Sequence, residues 1–396
     1  MKFRRFLAGT LIFAVAQMGS AQTGFARDYH YTIVASSNNP RQSQAFLDLE
    51  VPTIDNRGVV VFGGSYNCDR PVPCNAVWRA AVNAPPQLAS TANATTFFYD
   101  NVQINDSDTI SAEFFFTRAD LGLVDQIIEG KSRALRLVSP QAGNRRFIAP
   151  QLLENGDVAF YDGDTGHDAV LIGGRIAPLP SVACVYDQGI DASPNGFVAF
   201  LGSKLVAGEC PGPETIYVTS IKGGLVKRLD SGKRYGRFTA VGVANSASVV
   251  FAARNLPNRP GHVAGLFRQS ATGLITALSE IDNGACGQIP PVDATCQWRD
   301  YSWPLAVNAH GDVAATVEID DWKQGKLEQG RTGVAVNGDI DAGRVAWQGM
   351  AIGDCPVDDA FAGRRSINDS GQIAIRVTCG THDDAWTEIV IASPTK

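Results

Sequence analysis

The feature that most restricts this chain is a short phrase repeated along it. An apolar residue is followed by Asn or Asp, two variable residues, Gly, and a β-branched or aromatic run. The clearest copies are Ile367–Ala374 (INDSGQIA), Val307–Ala314 (VNAHGDVA) and Ile54–Phe62 (IDNRGVVVF). Leu152–Phe160 (LLENGDVAF) keeps the Gly but loses the first Asn, and Ile190–Phe200 (IDASPNGFVAF) keeps both with two extra residues. Ile104–Ala112 carries Asp108 in place of Gly, and Val243–Phe251 carries Ala247. The seven copies are anchored at positions 58, 108, 156, 196, 247, 311 and 371. An Asn or Asp side chain caps a tight turn, Gly accepts the positive φ inside it, and the run that follows reads as a buried strand. Asp108 fits the anchor because short polar side chains tolerate the left-handed region, whereas Ala247 is expected to turn differently.

The anchors lie 40 to 64 residues apart, room for about four short strands per interval. After Phe197, for example, come Thr215–Ser220, Leu225–Leu229 and Arg237–Val243. Four-stranded units at this period are what a propeller blade requires; solenoid rungs are shorter and sandwich domains longer. Only Glu388–Ala392 follows the last phrase, which leaves the final unit two strands short. Tyr31–Ala35 and Ala45–Val51 are expected to complete it. The prediction is an all-β fold over residues 27–396: a single seven-bladed β-propeller whose N- and C-terminal strands share one blade and hide its open edges.

Composition sets the remaining bounds. With 44% hydrophobic and 19% charged residues, 40 Gly and 20 Pro, the chain is neither disordered nor a helical bundle. Its 34 basic and 40 acidic residues argue against a nucleic-acid partner. Residues 1–26 have a basic start, the 11-residue apolar stretch Phe6–Ala16 and small residues before Ala21 and Ala26, the pattern of a signal peptide cleaved after either alanine. Its removal takes the formal charge from −6 to −9 by loss of Lys2, Arg4 and Arg5. No other apolar run is long enough to span a membrane. The expected product is a secreted or periplasmic monomer.

Eight cysteines in such a chain point to disulfides, and of the possible connectivities sequential pairing is the simplest. Cys68–Cys74 and Cys286–Cys296 would close loops within single units. Cys184–Cys210 and Cys355–Cys379 each straddle a phrase and would bridge adjacent units.

The repeated phrase resembles the NxxGxxAF tandem repeat of bacterial exported proteins. That resemblance implies export and a β-propeller-like repeat architecture, and it brings no catalytic residues.

Motifs with a defined chemistry are scarce. Gly130-Lys131-Ser132 lacks the earlier Gly of a phosphate loop, since position 125 is Asp. Asp162, Asp164 and Asp168 alternate around glycines and form the best Ca²⁺ candidate; otherwise no cofactor is implied. Basic and aromatic residues gather ahead of several phrases: Arg145 and Arg146; Arg234, Tyr235 and Arg237; Trp298, Arg299, Tyr301 and Trp303; Arg364 and Arg365. Equivalent loops of a propeller meet on one face, so these residues are expected to form one basic, aromatic mouth. The reading that follows is an exported, non-enzymatic binding propeller for a glycan or protein surface ligand, foremost an acidic glycan or surface polymer. The alternative is a polysaccharide lyase or hydrolase of propeller fold acting on a uronate-containing glycan, with Tyr235, Tyr301, His310 and Arg299 supplying base and charge neutraliser.

Overall fold

The computed structural model describes residues 28–38, 46–68, 73–91, 97–118, 122–139, 147–162, 169–173, 175–176, 184–203, 214–220, 225–231, 234–254, 263–281, 295–381 and 384–395. Every paired strand among them is antiparallel to its sheet neighbours, and the strands form seven sheets. Blade one comprises Phe46–Leu49, Val59–Tyr66, Cys74–Ala81 and Ala84–Thr91, with the short Thr53–Ile54 also on Val59–Tyr66. Blades two to six are four-stranded meanders beginning at Phe97–Ile104, Phe147–Leu152, Cys184–Ala192, Arg237–Val243 and Cys296–Val307. Blade seven runs Cys355–Phe361, Ile373–Cys379, Trp386–Pro394 and then Tyr29–Ser36, with Ala351–Ile352 beside its first strand. This is a seven-bladed β-propeller.

The ends close differently from the sequence expectation. Tyr29–Ser36 does pair with the C-terminal strand, in a register running from Tyr29 opposite Pro394 to Ser36 opposite Glu388. Residues 46–49 do not follow it; they pair with Val59–Tyr66 and open blade one. The phrase joins the first and second strands of a blade, so the strand ahead of the first phrase belongs to that blade. Cys355–Phe361 already precedes the last phrase, and blade seven therefore lacks one strand. Phe46 and Leu49, both buried, pack with Phe62 and Trp78 and fix this assignment.

All seven phrases form the same turn. The N–H of the residue three before the anchor bonds to the carbonyl four residues on, and the anchor N–H bonds back to that residue, as in Asn368–Gln372 and Gly371–Asn368, each 3.0 Å. The anchors have φ of 79°, 61°, 88°, 93°, 59°, 90° and 78° in chain order. Ala247 is thus a correction: at φ 59° it takes the turn its neighbours take, because paired strands on both sides leave the chain no other path. Ala247→Gly should relieve this strain and raise the unfolding free energy by about 0.5–1 kcal/mol, read as a shift in urea midpoint at unchanged m.

The turns also explain why the phrase favours Asn. Asn105 Oδ1 accepts from the N–H groups of Ser107 and Thr109, while its Nδ2 donates to the Leu153 carbonyl of the next turn at 2.9 Å. Asn308 and Asn368 repeat this, donating to the carbonyls of Asn368 and Asp55. One side chain caps its own turn and ties it to the next. The following residue adds a second link, its N–H donating to a side chain of the neighbouring turn: Ala309 to Asp369, Asp369 to Asn56, Asn56 to Asp106 and Asp106 to Glu154; in the fourth turn, where that residue is Pro194, the N–H of Asn195 donates to Asn245 instead. Glu154 N–H donates to the Pro194 carbonyl, and Arg268 reaches the Gly311 carbonyl between turns five and six. The result is a belt of hydrogen bonds around one face.

Cys68–Cys74 closes a loop within blade one. Cys355–Cys379 forms, but inside blade seven, between its first two strands. Straddling a phrase therefore joins strands of one blade instead of bridging two. Cys296 is disulfide-bonded. Cys210 and Cys286, and with them the Cys184–Cys210 and Cys286–Cys296 pairings, lie outside the described residues.

Candidate functional site

The innermost strand of each blade borders the propeller axis, and each has a register break along its length. The breaks fall at Phe46/Asp48, Asp100/Gln103, Ile148/Gln151, Val185/Ile190, Phe238/Ala240, Ser302/Ala306 and Val357/Asp359. Such bulges turn side chains out of the regular alternation and aim them elsewhere. Those of blades two, four, five and six border a cavity of about 850 Å³, large for a small-molecule site. It opens on the face opposite the turn belt: Arg237 begins and Arg254 ends strands of blade five at the end remote from Ala247.

Charges in the cavity are matched. Arg237 Nε donates to Glu214 Oε1 at 2.8 Å, and the other Glu214 oxygen accepts from Phe238 N–H at 2.7 Å. Burial raises the Glu214 pKa against the lowering effect of Arg237. Arg254 pairs with buried Asp300, and its guanidinium lies 5.7 Å from the Trp298 ring; burial lowers the Arg254 pKa. Ser302 Oγ donates to Glu318. Arg364, 3% exposed, donates from Nη1 to Asn101 Oδ1 at 2.9 Å. The apolar part of the lining includes Phe238, Tyr301 and Phe361. Among the lining residues Thr53 Oγ1, Thr239 Oγ1 and Arg254 Nε are buried without a hydrogen-bond partner among the described residues.

The sequence-predicted residues are distributed unevenly. Arg237, Tyr301 and Arg364 line the cavity, with Trp298 against Arg254 beside it. Tyr301 is 1% exposed, and its hydroxyl donates to the Gly338 carbonyl at 3.1 Å. Arg234 is exposed, its guanidinium 5.8 Å from the Tyr235 ring. Tyr235 itself is a core residue, 2% exposed among Phe238, Phe251 and Phe267. Arg299 is half-buried and donates to Gln297 Oε1. Arg365 turns toward the opposite end of the axis and pairs with Glu154. Among the described residues of the predicted set, Arg237 and Arg365 are each tied to a carboxylate, and Arg234 and Tyr235 do not line the cavity. Arg145, Arg146 and the side chain of Trp303 lie outside the described residues.

Of the calcium candidates, Asp162 ends a strand of blade three, 7% exposed; Asp164 and Asp168 lie outside the described residues. The trio Cys355, Cys379 and Glu388 brings its ligand atoms together, but its cysteines form a disulfide and offer no thiolate. Among the described residues no helix is long and apolar enough to cross a membrane.

Thr239, Arg254, Glu214 and Glu318 were invisible to the phrase-based reading. Only Arg254 left a trace, as the charge that ends the buried run VVFAA.

No protein-family model matches the chain, and no curated protein matches it. Solved structures do. A structure from a study of two prolyl endopeptidases aligns over 84% of this chain and 45% of its own, at 10% identity and a TM-score of 0.50. The β-propeller domain of the Trilobed protease from Pyrococcus furiosus aligns over 76% and 84%, at 9% identity and 0.46. Virginiamycin B lyase from Staphylococcus aureus aligns over 93% and 100%, at 12% identity and 0.41. At these identities the likeness is one of fold alone.

Proposed function

We propose that this chain is an exported, non-enzymatic propeller that binds a glycan in its axial cavity. The observation that carries the reading is the set of orphaned polar atoms, Thr53 Oγ1, Thr239 Oγ1 and Arg254 Nε, in a cavity of oligosaccharide size walled in part by bulged inner strands. Buried polar groups are normally satisfied, and those left over at a cavity wall are the groups a ligand meets. The charge balance refines the ligand. Arg237 and Arg254 already hold Glu214 and Asp300, so a polyanion would have to displace them. Fixed guanidinium–carboxylate pairs offer donors and acceptors side by side, which suits sugar hydroxyls, and the half-buried Phe361 supplies apolar surface. A hydroxyl-rich glycan therefore fits better than a strongly acidic one. Export is supported by the N-terminal leader pattern and by the disulfides at Cys68–Cys74 and Cys355–Cys379.

The lyase or hydrolase reading finds little support in the same geometry. Both Glu214 oxygens are engaged as acceptors, the Tyr301 hydroxyl is committed to Gly338, and Tyr235 is in the core. His310 sits in the sixth turn, on the face away from the cavity. On a glycan array, the mature protein should retain specific saccharides. Arg254→Ala and Thr239→Val should each weaken the best of them at least tenfold, while His310→Ala should leave affinity unchanged. Equal retention by all three variants, or release of unsaturated or shortened products, would overturn the reading.

A further inference from the structure

The cavity is closed at its inner end by two consecutive arginines that point opposite ways. Arg365 has φ 53° and crosses the axis from blade seven to blade three, where it donates to the Leu152 carbonyl and places Nη2 3.1 Å from Glu154 Oε1. Between Arg365 and the turns lies a pocket of about 20 Å³, bordered by Asn56, Asn308 and Asp369 of the belt. Arg364 faces the large cavity and bonds across to Asn101 of blade two. Asn101 is itself held: its Nδ2 donates to Glu113 Oε2 at 2.8 Å, which also accepts from Ala149 N–H at 3.1 Å. Asn101, Ala149 and Arg365 all occupy the left-handed region, with φ of 47°, 56° and 53°. Non-glycine residues persist there where surrounding contacts over-determine them, and such strain gathers at working sites. Arg364 is thus a braced floor and Arg365 a crossbar beneath it. A seven-bladed ring with both ends open could thread a polymer; among the described residues Arg364, Arg365 and the belt close this one at the turn face.

We propose that the cavity recognises the terminus of a glycan chain and not its interior, with Arg364 as the floor met by the terminal sugar and Asn101 as the residue that positions it. The inference rests on the glycan-binding reading above. A chain interior needs an open groove or a through-channel, and a pocket open at one face offers neither. End-on entry places one sugar against Arg364, the next beside Thr239 and Arg254, and the rest of the chain outside.

The test is calorimetric titration of the mature protein with α-1,4-gluco-, β-1,4-gluco-, chito- and galacturono-oligosaccharides of increasing length, each free, capped at one end, capped at the other, and cyclic where the cyclic form exists. Affinity should rise over the first few sugars and then level off. A bulky cap on one end should reduce it at least tenfold, while the same cap on the other end leaves it unchanged, and cyclic forms should not bind. Asn101→Ala should weaken binding of free chains, and Asn101→Asp should not restore it, because the Arg364 partner is then a charge in place of an amide and Glu113 loses its donor. Glu154→Gln, which loosens the crossbar without removing Arg365, reports on the blind end if Arg365→Ala does not fold: either variant should lessen the penalty of the cap. Equal binding of free chains, chains capped at either end and cyclic chains would overturn chain-end recognition while leaving glycan binding intact. If none of the four series binds, the glycan reading fails and this inference with it.

Discussion

Asn368→Ala is expected to lower the unfolding free energy by about 3 kcal/mol. The side chain is 3% exposed, and its Oδ1 accepts from the N–H groups of Ser370 and Gln372 at 3.1 and 2.9 Å. Its Nδ2 donates to the Asp55 carbonyl at 3.0 Å, which joins blade seven to blade one. Truncation removes the caps of two part-buried donors and strands the buried Asp55 carbonyl, and each such loss costs roughly 1–3 kcal/mol when water does not replace the partner. Asn368→Asp keeps the acceptor contacts and loses the donors to the Asp55 carbonyl and to Gln372 Oε1, so it should show about a third of the effect. The comparison separates capping from tying, which the alanine variant alone cannot do. Guanidinium unfolding under oxidising conditions checks both. A loss below about 1 kcal/mol for the alanine variant would mean that the belt does not hold the ring together.

Asp191→Asn is expected to stabilise the protein above pH 7 and to do nothing near pH 4. Asp191 lies on the inner strand of blade four, 4% exposed, and its Oδ2 accepts from Val243 N–H of blade five at 2.7 Å. Burial pushes its pKa up from 3.8 to about 6, against the opposing pull of that hydrogen bond and of Arg364 and Arg365. In the unfolded chain the same carboxyl has an ordinary pKa. Between about pH 4 and 6 the folded state therefore holds a proton that the unfolded state has lost, and stability falls as pH rises through that window. Above it the buried carboxylate costs roughly 2–3 kcal/mol. Asn keeps an acceptor for Val243 and carries no charge, so the gain should appear at pH 8 and vanish at pH 4. A gain of equal size at both values would show that it comes from packing and not from ionisation.

What could be read from the sequence was what is decided within a few residues. Asn or Asp capping its own turn and Gly taking a positive φ are local events, so the phrase located all seven first-to-second-strand turns and, with the spacing between copies, the seven blades. Even Asp108 could be placed by its side chain. Ala247 could not, because its turn is imposed by the strands that flank it. The assignment of Phe46–Leu49 to blade one was likewise decided by packing against Phe62 and Trp78. The site lay furthest from local rules. Arg364 and Arg365 are neighbours in the chain, yet they point to opposite ends of the axis, one paired with blade two and the other with blade three. Tyr235 looked like part of a binding mouth and is core, while Thr239 and Arg254, which carried no signal, wall the cavity. Local chemistry fixes where the chain turns. Which side chains reach the axis depends on bulges and on partners about 50 to 260 residues away, such as Val243 for Asp191 and Asn101 for Arg364, and these come together only when the ring closes.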